Sequence, residues 1–507
     1  MHPKNLNKGR KKYSSLSSET ESEDNVIREE AIYPGLILKD NYILLKKIGF
    51  GNNATVWMTY QISSKTYLAI KIQDYQCFKD GCREVNIIKR INSYCETNKL
   101  DIYCVKMLDY FIHEEEQDVK FVCSVYNLYA GSLQMLLNNG KYKYGLPIPI
   151  VKKITKQLLI AASTLHDELE IIHTDVKPDN ILFKGITQGQ NEIIDLFNES
   201  DFDKKYTELR FKYSKNKNRL SEEIDLLATE CVVAINNLEY NACASEELEP
   251  DNENDEEGFI DGDDDDYDDC DNDKYNFIDD DNYIYNENRT QSIDDDIDQL
   301  NNKQIYNLDE TTTYNYKTVL NNRENSTDRT EVIDDKYVLN CVTALTDYGN
   351  SYFYNRRTKN EIQDRRYRAP EVILDLNYGY GCDIWSVACV TFELLTGFCL
   401  FEPDNEPINR DIHHLYLLEK NLGEIPISMK KVSKRSRFLF DKKRNYHIKN
   451  IEPFNHVPLK KRLMDQFLFS KNDAEIINDF LSGALTYIPK KRATARELLA
   501  HPWLRDN

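Results

Sequence analysis

The order of local patterns along the 507 residues predicts an α+β protein with two unequal lobes, split by one long insertion. Residues 42–48, 54–60 and 67–73 are rich in aliphatic, aromatic and β-branched residues, which predicts three strands, and the first two flank a glycine-containing turn. Residues 83–91 and 151–165 repeat apolar side chains at helical spacing. Strands that come first and helices that follow indicate a small sheet-rich lobe beside a larger helical lobe.

The insertion is identified by its charge. Residues 251–300 hold 22 acidic and two basic residues, so this segment carries −20 of the formal net charge of −21. Self-repulsion among these carboxylates, with few aliphatic side chains between them, prevents collapse into a core. We therefore expect an acidic, mostly disordered spacer, with one helix at 221–238. The predicted domains are a disordered tail, the first lobe, the spacer and the second lobe, at residues 1–30, 31–184, 185–335 and 336–507.

Composition excludes several classes of protein. No stretch approaches the roughly 18 consecutive apolar residues that a membrane-spanning helix needs, so we expect no membrane partner. The 12 cysteines are scattered without metal-site spacing, which is typical of reduced thiols in an intracellular protein. We expect a cytoplasmic location, and the basic cluster at residues 8–12 leaves nuclear import open as an alternative.

Two short segments of the first lobe have the residues that a phosphate-binding site needs. Gly49 and Gly51 lie between two predicted strands in the pattern G-x-G-x-x-A-x-V, where backbone N–H groups can approach phosphate oxygens. Lys71 stands in an apolar strand, where a cation needs anionic partners, and Glu84 on the following helix is well placed to be one. On these residues alone, a tight hairpin turn and a surface ion pair remain open.

The segment IIHTDVKPDNIL, at residues 171–182, places polar residues between apolar flanks. Asp175 can accept the proton of a substrate hydroxyl, and Lys177 can neutralise charge on a transferred phosphoryl group. Asn180 can bind Mg²⁺. A chance match over this many positions is very improbable, so the segment predicts phosphoryl transfer.

Together these segments resemble the eukaryotic protein kinases, whose magnesium-binding motif D-F-G follows the catalytic loop. Two segments of this chain are candidates for that motif. Asp195 begins D-L-F at the usual distance, but no glycine and no later landmark follow it. Asp347 begins D-Y-G beyond the insertion, and A-P-E at 369–371, D-I-W-S at 383–386 and Arg492 come after it. We therefore predict that Asp347 is the magnesium ligand.

The resemblance implies the bilobal protein kinase fold, with ATP and Mg²⁺ as cofactors. It assigns catalysis to Asp175 and Lys177, and Mg²⁺ binding to Asn180 and Asp347. The residues it assigns to ATP binding are Ile48, Gly49, Gly51, Val56, Ala69, Lys71, Glu84, Tyr126, Asn127 and Leu128.

Longer segments indicate which branch of the protein kinases the chain resembles. YPGLILKDNYILLKKIGFG, IIHTDVKPDNIL, DYGN and IPKKRATARELLAHPWL resemble the SR-protein kinases of the CMGC branch, which phosphorylate arginine–serine-rich splicing factors. That family also has a long acidic spacer at this position. The resemblance implies a monomeric serine/threonine kinase with Arg/Ser-rich protein substrates and no direct nucleic-acid partner. Thr174 replaces an arginine that grips an activation-loop phosphate in many kinases, which implies activity without loop phosphorylation.

Some positions depart from the family pattern. Ala54 replaces the third glycine of the loop, which is a mild change. Asp364 stands where these kinases place a threonine that touches the catalytic aspartate and lysine, and an aspartate there would attract Lys177 and repel Asp175. In the helix at 411–420, whose acidic residues form a docking groove in the family, two acids are replaced by His413 and Lys420. Docking of basic substrates is therefore expected to be weakened or relocated.

Three alternatives remain open at this point. The chain can be a Ser/Thr kinase with substrates unrelated to splicing, an alternative that the docking-helix substitutions keep open. It can be a pseudokinase scaffold, although all the core catalytic residues are present. Finally, the acidic spacer can be the main functional part, as a binding module for basic proteins.

Overall fold

The computed structural model describes residues 32–51, 53–115, 119–138, 142–238, 335–354, 361–404 and 409–505. Apart from Asn450–Phe454, these residues belong to one compact unit. The predicted tail, the basic cluster at 8–12 and the acid-rich segment 251–300 lie outside the described residues. Strands dominate the first part of the chain and helices the last part, so the predicted α+β order of the two lobes is confirmed.

The first lobe is built on a six-stranded antiparallel sheet in the order β1-β2-β3-β4-β6-β5. Its strands are β1 (Ile37–Leu38), β2 (Tyr42–Gly51), β3 (Ala54–Gln61), β4 (Thr66–Gln73), β5 (Met107–Glu114) and β6 (Lys120–Tyr126). The three predicted strands are confirmed as β2, β3 and β4. Aromatic and β-branched side chains such as Trp57, Ile70 and Phe121 fill one apolar cluster of this sheet.

Helix α1, Phe78–Asn98, packs against strands β5 and β6. The segment predicted as helical, residues 83–91, lies inside it. Val85, Ile88 and Ile91 repeat at intervals of three and bury one face of the helix. Glu84 is buried beside them, which brings a carboxylate to the sheet and requires a cationic partner.

The other helices and the short strands complete the chain. The helices are α2 (Leu133–Asn138), α3 (Ile148–Asp167), α4 (Gln188–Glu199), α5 (Phe202–Lys212), α6 (Lys217–Asn236), α7 (Asp335–Asn340), α8 (Pro370–Ile373), α9 (Gly381–Thr396), α10 (Arg410–Leu422), α11 (Ile427–Val432), α12 (Ser436–Leu439), α13 (Leu459–Asp465), α14 (Lys471–Ala484) and α15 (Ala495–Leu499). The strands are β7 (Tyr129–Ser132), β8 (Ile171–Ile172), β9 (Ile181–Lys184), β10 (Thr343–Leu345), β11 (Tyr352–Phe353), β12 (Phe440–Asp441) and β13 (His447–Ile448).

Helix α9 forms the centre of the second lobe, and every residue from Cys382 to Thr396 is buried. It packs against α3, which contains the helix predicted at 151–165. Arg492 and Glu371 form an ion pair whose two side chains are fully buried, with N–O distances of 2.7 and 2.8 Å. Such a fork geometry satisfies both charges, so the pair fixes the end of the chain to α8. None of the helices described is long and apolar enough to cross a membrane.

The insertion begins with folded structure rather than with a disordered spacer. Residues 188–236 form α4, α5 and α6, and their buried side chains join a cluster with Ile43, Met58 and Tyr60 of the sheet. The prediction of disorder from residue 185 is therefore wrong for this part, while a helix near 221–238 is confirmed as α6. The acidic residues from which disorder was predicted lie later in the chain, at 251–300. Apolar side chains at helical spacing in 188–236 bury enough surface to fold against the first lobe.

Polar contacts fix these helices at defined positions on the sheet. The Tyr60 hydroxyl donates to Asp203 at 2.7 Å. Lys46 Nζ donates to the main-chain oxygens of Ile235 and Leu238, at 3.3 and 3.0 Å, where a helix end lacks its own donors. Gly35 has a φ of +91°, and a Cβ there would lie 2.8 Å from the backbone of Thr229 on α6. Only glycine allows this close approach.

Candidate active site

Lys71 lies at the centre of a set of charged side chains between the two lobes. Strand β4 places it opposite Val56 and Ser124 in the sheet. Its Nζ lies 2.9 and 3.0 Å from the carboxylate oxygens of Glu84 and 2.8 Å from Oδ1 of Asp347. The sheet, α1 and the segment after β10 each supply one of the three charges.

The ionisation of these groups follows from their distances. Burial alone would lower the pKa of Lys71, but the charges of Asp347 and Glu84 raise it above its usual value. Lys71 in turn lowers the pKa of Asp347 to about 2, so this carboxylate is ionised at neutral pH. The Asp347 side chain is 38% exposed, which leaves carboxylate oxygen surface available to a cation.

The catalytic loop predicted at 171–182 is held by α9. Asp383, fully buried at the start of that helix, accepts hydrogen bonds from the N–H groups of His173 and Thr174, at 2.8 Å each. His166 Nε2 lies 2.9 Å from the same carboxylate. Asp383 therefore fixes the backbone on the N-terminal side of Asp175.

Asp175, Lys177 and Asn180 are brought together as their spacing predicted. Lys177 Nζ lies 3.2 Å from Oδ2 of Asp175. Asn180 Nδ2 donates to the main-chain oxygen and to Oδ2 of Asp175, at 2.9 Å each. The amide oxygen is therefore the atom that Asn180 offers to a metal ion. Burial lowers the pKa of Lys177, but Asp175 and Asp364 outweigh this effect and raise it.

The two candidate magnesium aspartates occupy different places. Strand β10 pairs with β9 so that Leu345 lies opposite Ile181, and the Thr346 N–H donates to the Asn180 carbonyl at 2.9 Å. This pairing places Asp347 beside the catalytic loop, although the insertion separates them in sequence. Asp195 instead lies on α4, among the helices that cover the first lobe.

The residues assigned to the nucleotide lie along one part of the sheet. Gly49 pairs with Val56, and Gly51 with Ala54, at the hairpin between β2 and β3. Tyr126 at the end of β6 pairs with Ala69, and Asn127 and Leu128 follow it before β7. The remaining apolar positions, Ile48, Val56, Ala69 and Leu128, belong to one cluster, which also contains side chains of α4 and α6.

The segment after Asp347 is held by contacts that need no phosphate group. Thr174 Oγ1 donates to the Asn350 carbonyl at 2.6 Å, and Ser351 Oγ donates to the His173 carbonyl at 3.1 Å. Arg83 Nη2 on α1 donates to the Gly349 carbonyl at 2.6 Å. Thr174 thus contacts the start of this segment directly.

Gln363 is a residue that sequence reasoning missed. It has a left-handed φ of 68°, and its buried amide donates to the Cys382 carbonyl and Ser386 Oγ, at 2.9 and 2.8 Å. Its amide oxygen accepts from the Ala369 N–H at 3.0 Å, and its carbonyl accepts from Arg368. The only available signal in the sequence was a polar residue shortly before R-Y-R-A-P-E at residues 366–371.

The departures from the family pattern have identifiable positions. Asp364 accepts a hydrogen bond from the Arg366 N–H at 3.0 Å and lies close enough to Lys177 to influence its pKa. On α10, His413 Nδ1 accepts from the Asp404 N–H at 2.9 Å, and Lys420 donates to the Tyr416 hydroxyl at 2.6 Å. No group of three or more His, Cys, Asp or Glu side chains that could hold a metal ion occurs in the part of the chain that the structure describes.

The chain matches the family "Protein kinase domain" over residues 42–215 and 332–504. It belongs to the protein kinase family. The gap in the match, 216–331, falls within the insertion. The kinase is 54% identical over 489 residues to "Putative serine/threonine-protein kinase L205" of Acanthamoeba polyphaga mimivirus, which covers 94% of this chain and 90% of the relative.

More distant relatives support the closer assignment. "Serine/threonine-protein kinase SKY1" of Saccharomyces cerevisiae is 27% identical, over 92% of this chain and 74% of the relative. "SRSF protein kinase 3" of Mus musculus is 26% identical, over 93% of this chain and 87% of the relative. The chain is a protein serine/threonine kinase of the SR-protein-kinase-like type, and the prediction made from its motifs is confirmed.

Proposed function

We propose that this kinase transfers the γ-phosphate of ATP to serine residues of Arg/Ser-rich, SR-type proteins. The transfer reaction is supported by one observation, which is that Lys71, Glu84 and Asp347 lie together near the pair formed by Asp175 and Lys177. Protein kinases as a family use ATP and Mg²⁺. The substrate class is supported by the relatives named for SRSF proteins.

Each residue has a role that its contacts suit. Lys71, oriented by Glu84, binds the α/β-phosphates as a fixed cation. Asp175 accepts a hydrogen bond from the attacking hydroxyl and orients it, while Lys177 offsets charge on the transferred phosphoryl group. The glycine hairpin between β2 and β3 covers the phosphates, and Asn127 and Leu128 offer backbone groups to the adenine ring.

The residues present also fit a magnesium ion. Asp347 is a carboxylate with a depressed pKa, and Asn180 offers an amide oxygen. Mg²⁺ is commonly held by one or two protein oxygens together with substrate phosphates. When bound, the ion neutralises phosphate charge and aligns the γ-phosphate. The protein's part is to hold these two oxygens close together through the β9–β10 pairing.

We also propose that the kinase is active without phosphate on its activation segment. The contacts of Thr174 with Asn350, and of Gln363 with α9, supply the order that a phosphate supplies in other kinases. Protein expressed in bacteria should therefore show activity while intact-mass spectrometry finds residues 347–371 unmodified. Activity that appears only after treatment with another kinase would contradict this proposal. We further propose a monomer with an intracellular location.

A peptide-array assay with purified full-length protein tests the substrate class. Arg/Ser-rich peptides should be phosphorylated, whereas matched peptides with alanine for serine, or with glutamine for arginine, should not. Equal turnover of arginine-free Ser/Thr peptides would favour a kinase unrelated to splicing. If no peptide is phosphorylated while a basic protein is retained by the chain, the scaffold alternative is correct. Deleting residues 251–300 then tells whether the acidic segment is the binding module.

A further inference from the structure

The second lobe has a strongly basic segment that the phosphotransfer reaction does not use. Residues 427–449 contain nine basic residues and one acidic residue. They run from α11 through α12 to β13 and contact α10. We define the cationic surface as five exposed basic side chains of this segment, which are Lys431, Lys434, Lys442, Lys443 and Arg444.

The acidic residues of α10 do not neutralise the cationic surface, because other cations already engage them. Glu419 pairs with Lys430 at 2.7 Å, and the two side chains are only 4% and 5% exposed. Asp411 pairs with both Arg365 and Arg435. Once these carboxylates are buried in ion pairs, their charge is offset locally and contributes little to the field outside.

Two further acids touch the cationic surface without neutralising it. Lys434 lies 3.1 Å from Asp375, but both side chains are more than half exposed, and such pairs contribute little in water. Asp441 accepts a hydrogen bond from the main-chain N–H of Lys443, so one of its oxygens serves the backbone. The segment therefore keeps a large positive excess.

Exposed apolar side chains lie between these cations. Val432 is 66% exposed and Phe438 is 54% exposed, on α11 and α12 respectively. Single exposed apolar residues are common, but two of them within a run of cations provide both kinds of contact to one ligand. A ligand that fits this surface carries negative charges with apolar groups between them.

We infer that the cationic surface docks an acidic polypeptide segment of a partner protein, in which Asp or Glu residues alternate with aromatic or aliphatic residues. Nucleic acid fits less well, because single strands bind on several exposed aromatic platforms. Phe438 is the only Phe, Tyr or Trp of residues 427–449 that is more than half exposed. The inference goes beyond the proposed function, since the surface shares no residue with the catalytic set.

Fluorescence anisotropy with the full-length kinase tests this docking. The probe is a labelled peptide of repeated Asp-Glu-Phe-Asp units, and its isosteric control replaces the acids with Asn and Gln. The test variant combines Lys442→Glu, Lys443→Glu and Arg444→Glu. The matched control combines Lys204→Glu, Lys205→Glu and Lys215→Glu, which make the same charge change at exposed positions near α5.

We expect the test variant to bind the acidic peptide at least about tenfold more weakly at low salt, with the difference shrinking as salt is added. The control variant should bind like the parent, and both should keep the parent's melting temperature and turnover of a short peptide. Equal loss in both variants would show a nonspecific charge effect and overturn the docking site. If an oligouridylate binds more tightly than the acidic peptide and is weakened as much by the test variant, the surface would be assigned to nucleic acid instead. Peptide binding that appears only after residues 251–300 are deleted would also overturn docking of a partner.

Discussion

Two segments of this kinase look alike in sequence and differ in what they contribute. D-Y-G at 347–349 supplies a carboxylate to Lys71, whereas D-L-F at 195–197 supplies an aromatic ring to the first lobe. In the first segment the aspartate interacts with the charged centre, and in the second Phe197 is only 2% exposed and packs on Tyr60. The comparison teaches that a short motif acquires its role from the strands and helices beside it.

Exchanging each aspartate for asparagine gives the largest expected effect. Asp347→Asn should lower phosphoryl transfer by at least about a thousandfold, because it removes a charged metal ligand and a partner of Lys71. Asp195→Asn should leave the rate nearly unchanged. The measurement is steady-state turnover of one peptide by both variants at saturating ATP.

The opposite behaviour of the two variants would contradict the assignment of Asp347, rather than Asp195, as the magnesium ligand. Loss of activity in Asp195→Asn, with Asp347→Asn still active, would mean that the insertion lies after the magnesium motif. Melting temperatures measured in parallel show whether either variant has lost its fold. Asp347→Asn should remain folded, since its side chain is 38% exposed and the change keeps its shape.

A pair of phenylalanines tests the other half of the comparison. Phe197→Ala should cost about 3–5 kcal/mol of stability, because it leaves a cavity between α4 and the sheet. Phe211→Ala on α5 is the matched control, since that ring is 86% exposed and its loss should change stability by less than about 0.5 kcal/mol. Thermal unfolding of both variants provides the measurement. Similar melting temperatures would show that the helices of the insertion do not support the first lobe.

An intermediate effect is expected at Gln363, which orders the activation segment without phosphate. Gln363→Ala removes hydrogen bonds to Cys382 and Ser386 and leaves buried groups unpaired. We expect kcat/KM for a protein substrate to fall about tenfold, with the KM for ATP nearly unchanged. Gln188→Ala, at an exposed position of α4, serves as the control. An unchanged kcat/KM would mean that other contacts suffice to order this segment.

The motifs of the candidate active site were predictable from sequence because their chemistry requires fixed residue types at short spacing. Asp175, Lys177 and Asn180 lie within six residues, and contacts within the loop bring them together. Lys71 was predictable because it is a charge in an apolar strand, which needs a partner, and Glu84 on the following helix was the carboxylate placed to be that partner.

The folded start of the insertion was harder to predict. The charge of 251–300 dominates the composition of the whole insertion and conceals the apolar spacing of Ile193, Phe197 and Phe202. Burial of these side chains depends on the sheet that receives them, which local sequence does not show. Gln363 was missed for a related reason, because its partners lie on α9, about twenty residues later in the chain.

His413 and His414 are adjacent residues of the same type, but their surroundings in the structure differ. His413 accepts a hydrogen bond from the Asp404 N–H, whereas His414 is fully buried and neither of its ring nitrogens has a hydrogen-bond partner among the residues that the structure describes. Burial, together with the positive charges of Arg365, Arg368 and Arg410, holds the pKa of His414 well below its usual value. His414 is therefore neutral in the folded kinase at neutral pH.

The smallest expected effect follows from this neutral ring. An unfolded chain binds a proton at His414 as pH falls below about 6.5, whereas the folded chain does not, so stability decreases towards acid pH. The loss approaches about 1.4 kcal/mol for each pH unit below that value. His414→Phe keeps the ring beside Phe401 and removes the proton, so its melting temperature should fall less than that of the parent between pH 7.5 and pH 5.5. His456→Phe, at an exposed position, should follow the parent. Parallel curves for the parent and His414→Phe would show that this buried histidine does not contribute to acid sensitivity.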